Sequence, residues 1–192
     1  MLNLRLNDRL MPMSPTAPST LQHADIARRI PHQGSMCLLD RVTAWDTTQI
    51  RCEASSHHEA NNPLRAHGRL GASCGIEYAA QAMAVHGALI AEAQASAGET
   101  SPAPQIGYLA SVRGVTLHVE RLDDLSAALT IHAERMSGDD RTILYSFTVQ
   151  AGLTLLLSGR AVVVLDAAGL LLPGRTAIPV ESPSGSTTSG TL

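Results

Sequence analysis

Residues 72–94, ASCGIEYAAQAMAVHGALIAEAQ, are the one stretch of this 192-residue sequence with a strong helical pattern. Small or apolar residues recur there at spacings of three and four, the period of an amphipathic α-helix. The positions that share this spacing are Ile76, Ala80, Met83, Gly87 and Ile90. At 1.5 Å per residue the helix would be about 34 Å long, enough to cross a small domain. Its many alanines and glycines allow another backbone to approach closely, which favours a helix enclosed by a sheet.

The sequence on both sides of this helix is strand-like. Before it, residues 37–46 and 48–56 form two apolar runs, and in the second Ile50, Cys52 and Ala54 alternate with polar residues. A short helix is expected over 21–29, ended by the proline at position 31. Turn residues separate four further runs after the long helix and predict antiparallel hairpins. These runs cover residues 107–120, 127–136, 142–150 and 153–165.

This order of elements predicts an α+β fold in which an antiparallel sheet of about five to six strands wraps one long central helix. That is the outline of the hot-dog fold. We expect the folded domain to cover residues 21–166. Residues 1–20 are predicted to be a flexible N-terminal segment, and residues 167–192 a low-complexity tail, because both are rich in Pro, Ser, Thr or Gly.

Composition excludes several classes of function. Two features argue against a nucleic-acid interface. The net charge is −3, and the aromatic residues are few, namely one tryptophan, three tyrosines and one phenylalanine. All fourteen basic residues are arginines, so no lysine is available for a Schiff base or a phosphate-binding loop. The three cysteines form no Cys-x-x-Cys pair, which is typical of a reducing compartment. With no signal-peptide pattern and no 20-residue apolar span, the sequence predicts a cytoplasmic protein that does not insert into membranes.

Several segments resemble the 3-hydroxyacyl-acyl carrier protein dehydratases of the FabZ/FabA hot-dog superfamily. Residues 31–46, PHQGSMCLLDRVTAWD, resemble the family's entry segment, and residues 75–81, GIEYAAQ, resemble the helix that carries its catalytic carboxylate. The similarity is greatest to the ApeP-like branch, which is associated with aryl polyene biosynthesis, and covers about residues 26–166. It also includes Ser56-His57, NPLR at 62–65 and LASVRGVTLHVERLDDL at 109–125.

This resemblance implies a reaction and its partners. The reaction is dehydration of a (3R)-hydroxyacyl thioester to the trans-2-enoyl thioester, in fatty acid or aryl polyene type synthesis. The acyl chain would be carried on the phosphopantetheine arm of an acyl carrier protein, and no metal or organic cofactor is implied. A homodimer, or a heterodimer with another hot-dog protein, is expected. Two alternatives stay open, an acyl thioesterase and a non-catalytic subunit that completes another dehydratase.

The family's chemistry uses one histidine and one acidic residue, usually from different protomers. We assign the acid to Glu77, whose apolar helical surroundings suit a carboxyl that keeps its proton. FabZ-type enzymes place the histidine fourteen residues before the acid, where this chain has Pro63. We therefore assign the base to His57, with His58 as the alternative, because imidazole accepts a proton near neutral pH. If the preceding strand continues through them, their side chains point to opposite sides, so only one of the two can face the site.

Substrate contacts are expected around the start of the long helix. Free backbone N–H groups at Ala72, Ser73 and Gly75 would polarise the thioester carbonyl. Gln81, one turn after Glu77, would either orient the carboxyl or pack.

Other residues have competing interpretations. Cys74 is either a nucleophile whose thiol pKa is lowered at a helix start or, preferably, a small packing residue. A zinc site at His57, His58 and His67 has irregular spacing and is disfavoured. The remaining candidates are either structural residues or residues that could contact the acyl carrier protein.

Among these, His32 and the neighbouring Asp40-Arg41 are expected to be structural, and His86 to be a satisfied core or interface histidine. Arg65, Arg69 and Arg113 suit the phosphate of phosphopantetheine or serve ordinary surface solubility.

Overall fold

The computed structural model describes residues 20–98, 107–139 and 141–165. The strands are β1 (Leu21–Gln22), β2 (Arg41–Trp45), β3 (Gln49–Ala54), β4 (Gly107–Leu117), β5 (Leu129–Gly138), β6 (Thr142–Ala151) and β7 (Thr154–Leu165). The helices are α1 (His23–Ala27) and α2 (Gly75–Ser96), with 3₁₀ turns at Gly34–Met36, Ser56–His58 and Ala72–Cys74. Most of segment 1–20 and all of the tail 167–192 lie outside the described residues, so those two predictions stay predictions.

All seven strands join one antiparallel sheet in the order β1-β2-β3-β5-β6-β7-β4. Within the described ranges, the sheet and one long helix confirm the predicted α+β hot-dog fold. One strand more is present than the five to six expected, because β1 contains only two residues and carries no periodicity. The part of the chain that is described contains no helix long and apolar enough to cross a bilayer.

The core lies between α2 and the sheet, where the helix contacts β3, β5 and β6. Strand β6 shows the alternation most clearly, with every second residue from Ile143 to Ala151 buried. His86, on α2, is fully buried: its Nε2 lies 2.7 Å from the Asp46 carbonyl oxygen and its Nδ1 lies 3.0 Å from the Tyr145 hydroxyl. Burial raises the pKa of Tyr145 to about 12. His86 is therefore a satisfied core histidine, as predicted.

The start of α2 packs against β7 with no room for a side chain at position 75. A Cβ on Gly75 would lie 2.3 Å from Cδ2 of Leu157, which is itself fully buried. Glycine at this position therefore sets how closely the first turn of α2 approaches the sheet.

Gly75→Ala is expected to destabilise the protein by about 1–3 kcal/mol, because Leu157 must leave its packed position. Equilibrium urea unfolding measures the effect. Gly87→Ala is the matched control on the same helix, since a Cβ there meets nothing within 4 Å. Replacing glycine by alanine in an open helix interior stabilises by about 0.5–1 kcal/mol. Equal stability of the two variants would contradict this account of the packing.

Candidate active site

Two loops enclose the start of α2. The loop after β3 is tied to the connection between β4 and β5 by backbone hydrogen bonds, from Ala72 N to Glu120 O (3.0 Å) and from Leu122 N to Leu70 O (2.8 Å). A further bridge joins Gly71 to Arg121. The loop between β3 and α2 thus has a fixed position beside the helix.

Arg65 stabilises this loop through hydrogen bonds within the chain. Its Nε donates to the Glu59 carbonyl (2.8 Å), its Nη2 donates to the His57 carbonyl (3.1 Å), and its Nη1 pairs with Asp123 (2.8 Å). Hydrogen bonds from Arg121 hold the pKa of Asp123 well below its usual range. Because its donors are engaged within the chain, Arg65 fixes the backbone at His57 rather than facing a partner.

His57 is fully buried, and neither ring nitrogen has a hydrogen-bond partner among the described residues. Its ring lies against that of His58, with centroids 3.7 Å apart. Burial, and secondly the neighbouring His58, lower the pKa of His57, so its imidazole is neutral at neutral pH. Buried polar atoms without a partner are uncommon and often mark a functional role.

His58 differs from His57 in its exposure and in its hydrogen bonding. It is exposed, and its Nε2 lies 2.6 Å from the Leu125 carbonyl oxygen. Of the two candidate bases, His57 is therefore the one whose ring nitrogens remain available.

A hydroxyl on α2 holds the turn that carries His57. The Tyr78 hydroxyl lies 2.9 Å from Ser56 Oγ and accepts a hydrogen bond from Asn62 Nδ2 (3.0 Å). Asn62 Nδ2 also donates to the Ser56 carbonyl (2.8 Å). Sequence reasoning missed Tyr78, although a buried tyrosine hydroxyl ordinarily requires a partner and the pattern Ser56…Asn62 offered one.

Glu77 lies one position before Tyr78, with its side chain 31% exposed. Its Oε1 accepts a hydrogen bond from Gln81 Nε2 (3.0 Å) and lies 3.2 Å from His32 Nε2. Gln81 is itself fixed, since its Nε2 donates to the Met36 carbonyl (2.8 Å) and its Oε1 accepts from Leu38 N (2.9 Å). Of its two predicted roles, the contacts fit the orienting one. The contact with His32 was not predicted, because that residue was expected to be structural.

The backbone amides predicted to bind substrate are largely engaged. Ala72 N donates to Glu120 O, and Gly75 N donates to the carbonyls of Ala72 and Ser73. The 3₁₀ turn before α2 engages the Gly75 amide, which an abrupt helix start would leave free, whereas the connection between β4 and β5 engages the Ala72 amide. The amides of Ala72 and Gly75 thus have acceptors within the chain, and substrate binding by these two residues stays a prediction. The exposed Ser73 has no acceptor for its amide among the described residues, so its role stays a prediction.

Cys74 is not an activated nucleophile. Burial raises the pKa of its thiol, contrary to the lowering considered from its position, and its Sγ donates to the Leu64 carbonyl (3.6 Å). The packing interpretation therefore fits. His67 lies at an exposed turn between Ala66 and Arg69, and within the described ranges no group of three or more potential ligands is arranged to bind a metal.

Within one chain, the structure brings Glu77 together with Gln81 and His32, but it forms no hydrogen bond between Glu77 and His57. Glu77 lies in the first turn of α2. His57 lies in the 3₁₀ turn Ser56–His58, which contacts the same end of α2 through Ser56 and Tyr78. The arrangement offers a neutral imidazole and a partly exposed carboxyl at the same end of the helix.

A family model described as ApeP dehydratase matches residues 24–169. The chain belongs to the ApeP-like dehydratase family. The resemblance found in the sequence is thus confirmed. No curated protein matches this ApeP-like chain.

Solved structures similar to the ApeP-like chain share its fold. The dehydratase heterocomplex ApeI:P from Xenorhabdus doucetiae is 22% identical, with a TM-score of 0.61 over 73% of this chain and 90% of that one. A thioesterase from Haemophilus influenzae is 9% identical, with a TM-score of 0.51 over 78% and 93% of the respective chains. At these identities the likeness shows the fold alone.

Proposed function

We propose that the protein dehydrates a (3R)-hydroxyacyl thioester carried on an acyl carrier protein, giving the trans-2-enoyl thioester. The observation that carries this proposal is the buried and neutral His57, which has no hydrogen-bond partner among the described residues, at the same end of α2 as the partly exposed Glu77. One group can take a proton and the other can give one, which is what an elimination requires.

The proposed reaction is an elimination of water across C2 and C3. His57 removes the proton at C2, and the electrons of that C–H bond form the C2–C3 double bond as the C3–O bond breaks. The departing hydroxyl takes a proton from the Glu77 carboxyl and leaves as water. The proton held by His57 then returns to Glu77 through solvent, which restores both groups.

Because His57 and Glu77 make no contact within one chain, we propose that the working site lies between two hot-dog chains, each supplying one group. Strand β4 is suited to such an interface. It pairs only with β7 in the part of the sheet that is described, and it exposes Tyr108 (51%), Leu109 (40%) and Leu117 (48%). A long apolar edge strand is a template for pairing with another chain. The partner is a second copy or another hot-dog protein.

Placing lysine at both Tyr108 and Leu109 is expected to convert the dimer, or the complex with a hot-dog partner, to separate chains, because charges on an edge oppose strand pairing. Light scattering coupled to size-exclusion chromatography measures the mass. Leu153→Lys is the control, since that leucine is fully exposed at the β6–β7 turn. An unchanged mass in the double variant would argue against a β4 interface.

Two arginines support an acidic partner. Arg113 on β4 is directly opposite Arg160 on β7, both are exposed, and neither has a carboxylate partner in the described ranges. Like charges placed opposite each other repel, so an anion beside them is favourable. The phosphate of phosphopantetheine or an acidic surface of an acyl carrier protein fits this position.

The test is conversion of a 3-hydroxyacyl thioester by the purified protein, followed by absorbance of the conjugated enoyl product and, separately, by free thiol. Enoyl formation without thiol release supports the proposal. Thiol release with no change at C2–C3 indicates a thioesterase instead. Activity that arises only after a second hot-dog protein is added, and that survives loss of His57 and Glu77, indicates the non-catalytic partner.

A further inference from the structure

Glu77 has a second nitrogen beside it that the proposed reaction does not use. The Nε2 of His32 lies 3.2 Å from Glu77 Oε1, on the same oxygen that accepts from Gln81. We infer that His32 is a positioning residue, which holds the Glu77 carboxyl from within the same chain. This inference rests on the proposed function, in which Glu77 is the acid.

The segment that carries His32 is anchored at both ends. On one side the side-chain amide Nε2 of Gln33 donates to the carbonyls of Ala27 (2.8 Å) and Ile30 (3.3 Å), which links this segment to the C-terminal end of α1. On the other side Met36 and Leu38 are bonded to Gln81 on α2. The imidazole is therefore held against Glu77 by backbone that the helix itself fixes.

The other ring nitrogen indicates which tautomer is present. His32 Nδ1 is buried and has no partner among the described residues. A proton on Nδ1 would leave a buried donor without an acceptor and would also turn the Nε2 lone pair toward Glu77 Oε1, 3.2 Å away, so the neutral ring carries its proton on Nε2. That tautomer points an N–H group at Glu77 Oε1.

The two carboxyl oxygens of Glu77 therefore have different roles. Oε1 is held by Gln81 and His32, whereas Oε2 has no partner in the described part of the chain. Oε2 is then the oxygen that carries the transferable proton. Two donors on Oε1 fix the direction in which that proton points, and such orientation matters because small misplacements are costly in catalysis.

Kinetics of three variants test this role. His32→Ala is expected to lower kcat about 10- to 100-fold with little change in KM, because the substrate still binds but the carboxyl is misaligned. His32→Gln keeps an amide N–H donor at a similar reach and is expected to recover most of kcat. His23→Ala is the matched control, since His23 is nearby on α1 and its Nδ1 contacts the Leu39 carbonyl (2.8 Å) and Cys37 Sγ (3.9 Å), not Glu77.

A double variant separates positioning from a general structural effect. In a Glu77→Gln background, His32→Ala is expected to cause no further loss, because His32 acts through the carboxyl. The inference is overturned if the losses multiply, or if His32→Gln is as inactive as His32→Ala.

A readout independent of turnover keeps the inference separate from the proposed function. In ¹⁵N NMR spectra of the full-length protein, the His32 ring is expected to be protonated at Nε2, with a resonance that shifts in Glu77→Gln and not in Glu92→Gln. If the protein shows no dehydration, the proposed function fails and the spectra alone decide the contact. A His32 resonance indifferent to Glu77→Gln overturns the contact even if dehydration is observed.

Discussion

Glu77→Gln is expected to lower the dehydration rate by about 10²–10⁴-fold, the range for loss of one positioned acid. The substitution keeps the size of the side chain and an oxygen that can accept from Gln81 Nε2, but it removes the transferable proton. KM should change little, since the group acts on the leaving hydroxyl rather than on the acyl chain. Single-turnover assays with the 3-hydroxyacyl thioester measure the chemical step directly.

Glu92→Gln is the control for this substitution. Glu92 lies near the other end of the same helix, is 51% exposed and pairs with Arg29 at 2.9 Å. Its loss should leave turnover unchanged. Thermal unfolding of both variants checks that folding is intact. A Glu77→Gln protein that still dehydrates at the wild-type rate would remove Glu77 from the reaction.

The fold was predictable because its main signals are local. The spacing over residues 72–94 predicted α2, alternation in the run 48–56 predicted β3, and turn residues delimited the runs that form β4 to β7. The two-residue β1 was missed because so short a strand has no period. The 3₁₀ turn at Ala72–Cys74 was also missed. That turn engages the Gly75 amide, and the distant Glu120 carbonyl engages the Ala72 amide, which the local sequence did not indicate.

The site was less predictable, because contacts between residues far apart in the chain build it. Arg65 reaches Asp123, and Glu77 meets His32, through folding of three separate segments onto α2. No spacing rule in the sequence connects such pairs. The assignment of Glu77 and His57 came from the family resemblance, and the structure adds what surrounds each of them.

His57→Gln is expected to reduce dehydration by a similar factor, about 10²–10⁴-fold, because no other group takes the C2 proton. Glutamine is preferred to alanine, since His57 is fully buried and alanine would leave a cavity. Exchange of the C2 hydrogen in D₂O isolates the step that His57 performs. Exchange that continues at the wild-type rate in this variant would show that another base is at work.

A mixing experiment tests whether the site is shared between chains. Dimers that combine one His57→Gln chain with one Glu77→Gln chain contain one site with both groups intact, if the groups come from different chains. Activity should then return when the two inactive proteins are refolded together. If both groups act from the same chain, every site in the mixture lacks one of them and no activity returns.

The pH profile identifies the base more specifically. A base works in its neutral form, and the pKa of His57 is lowered from 6.5 by burial and by the neighbouring His58. The rate should therefore hold at neutral pH and fall only as the pH drops below 6.5 toward the lowered pKa. His58→Ala removes one of the two causes, so the acidic limb should move to higher pH while the rate at pH 8 is retained. His132→Ala, on the sheet and bonded to Gln49 (2.9 Å), should leave the limb in place. A limb that His58→Ala does not move belongs to a group other than His57.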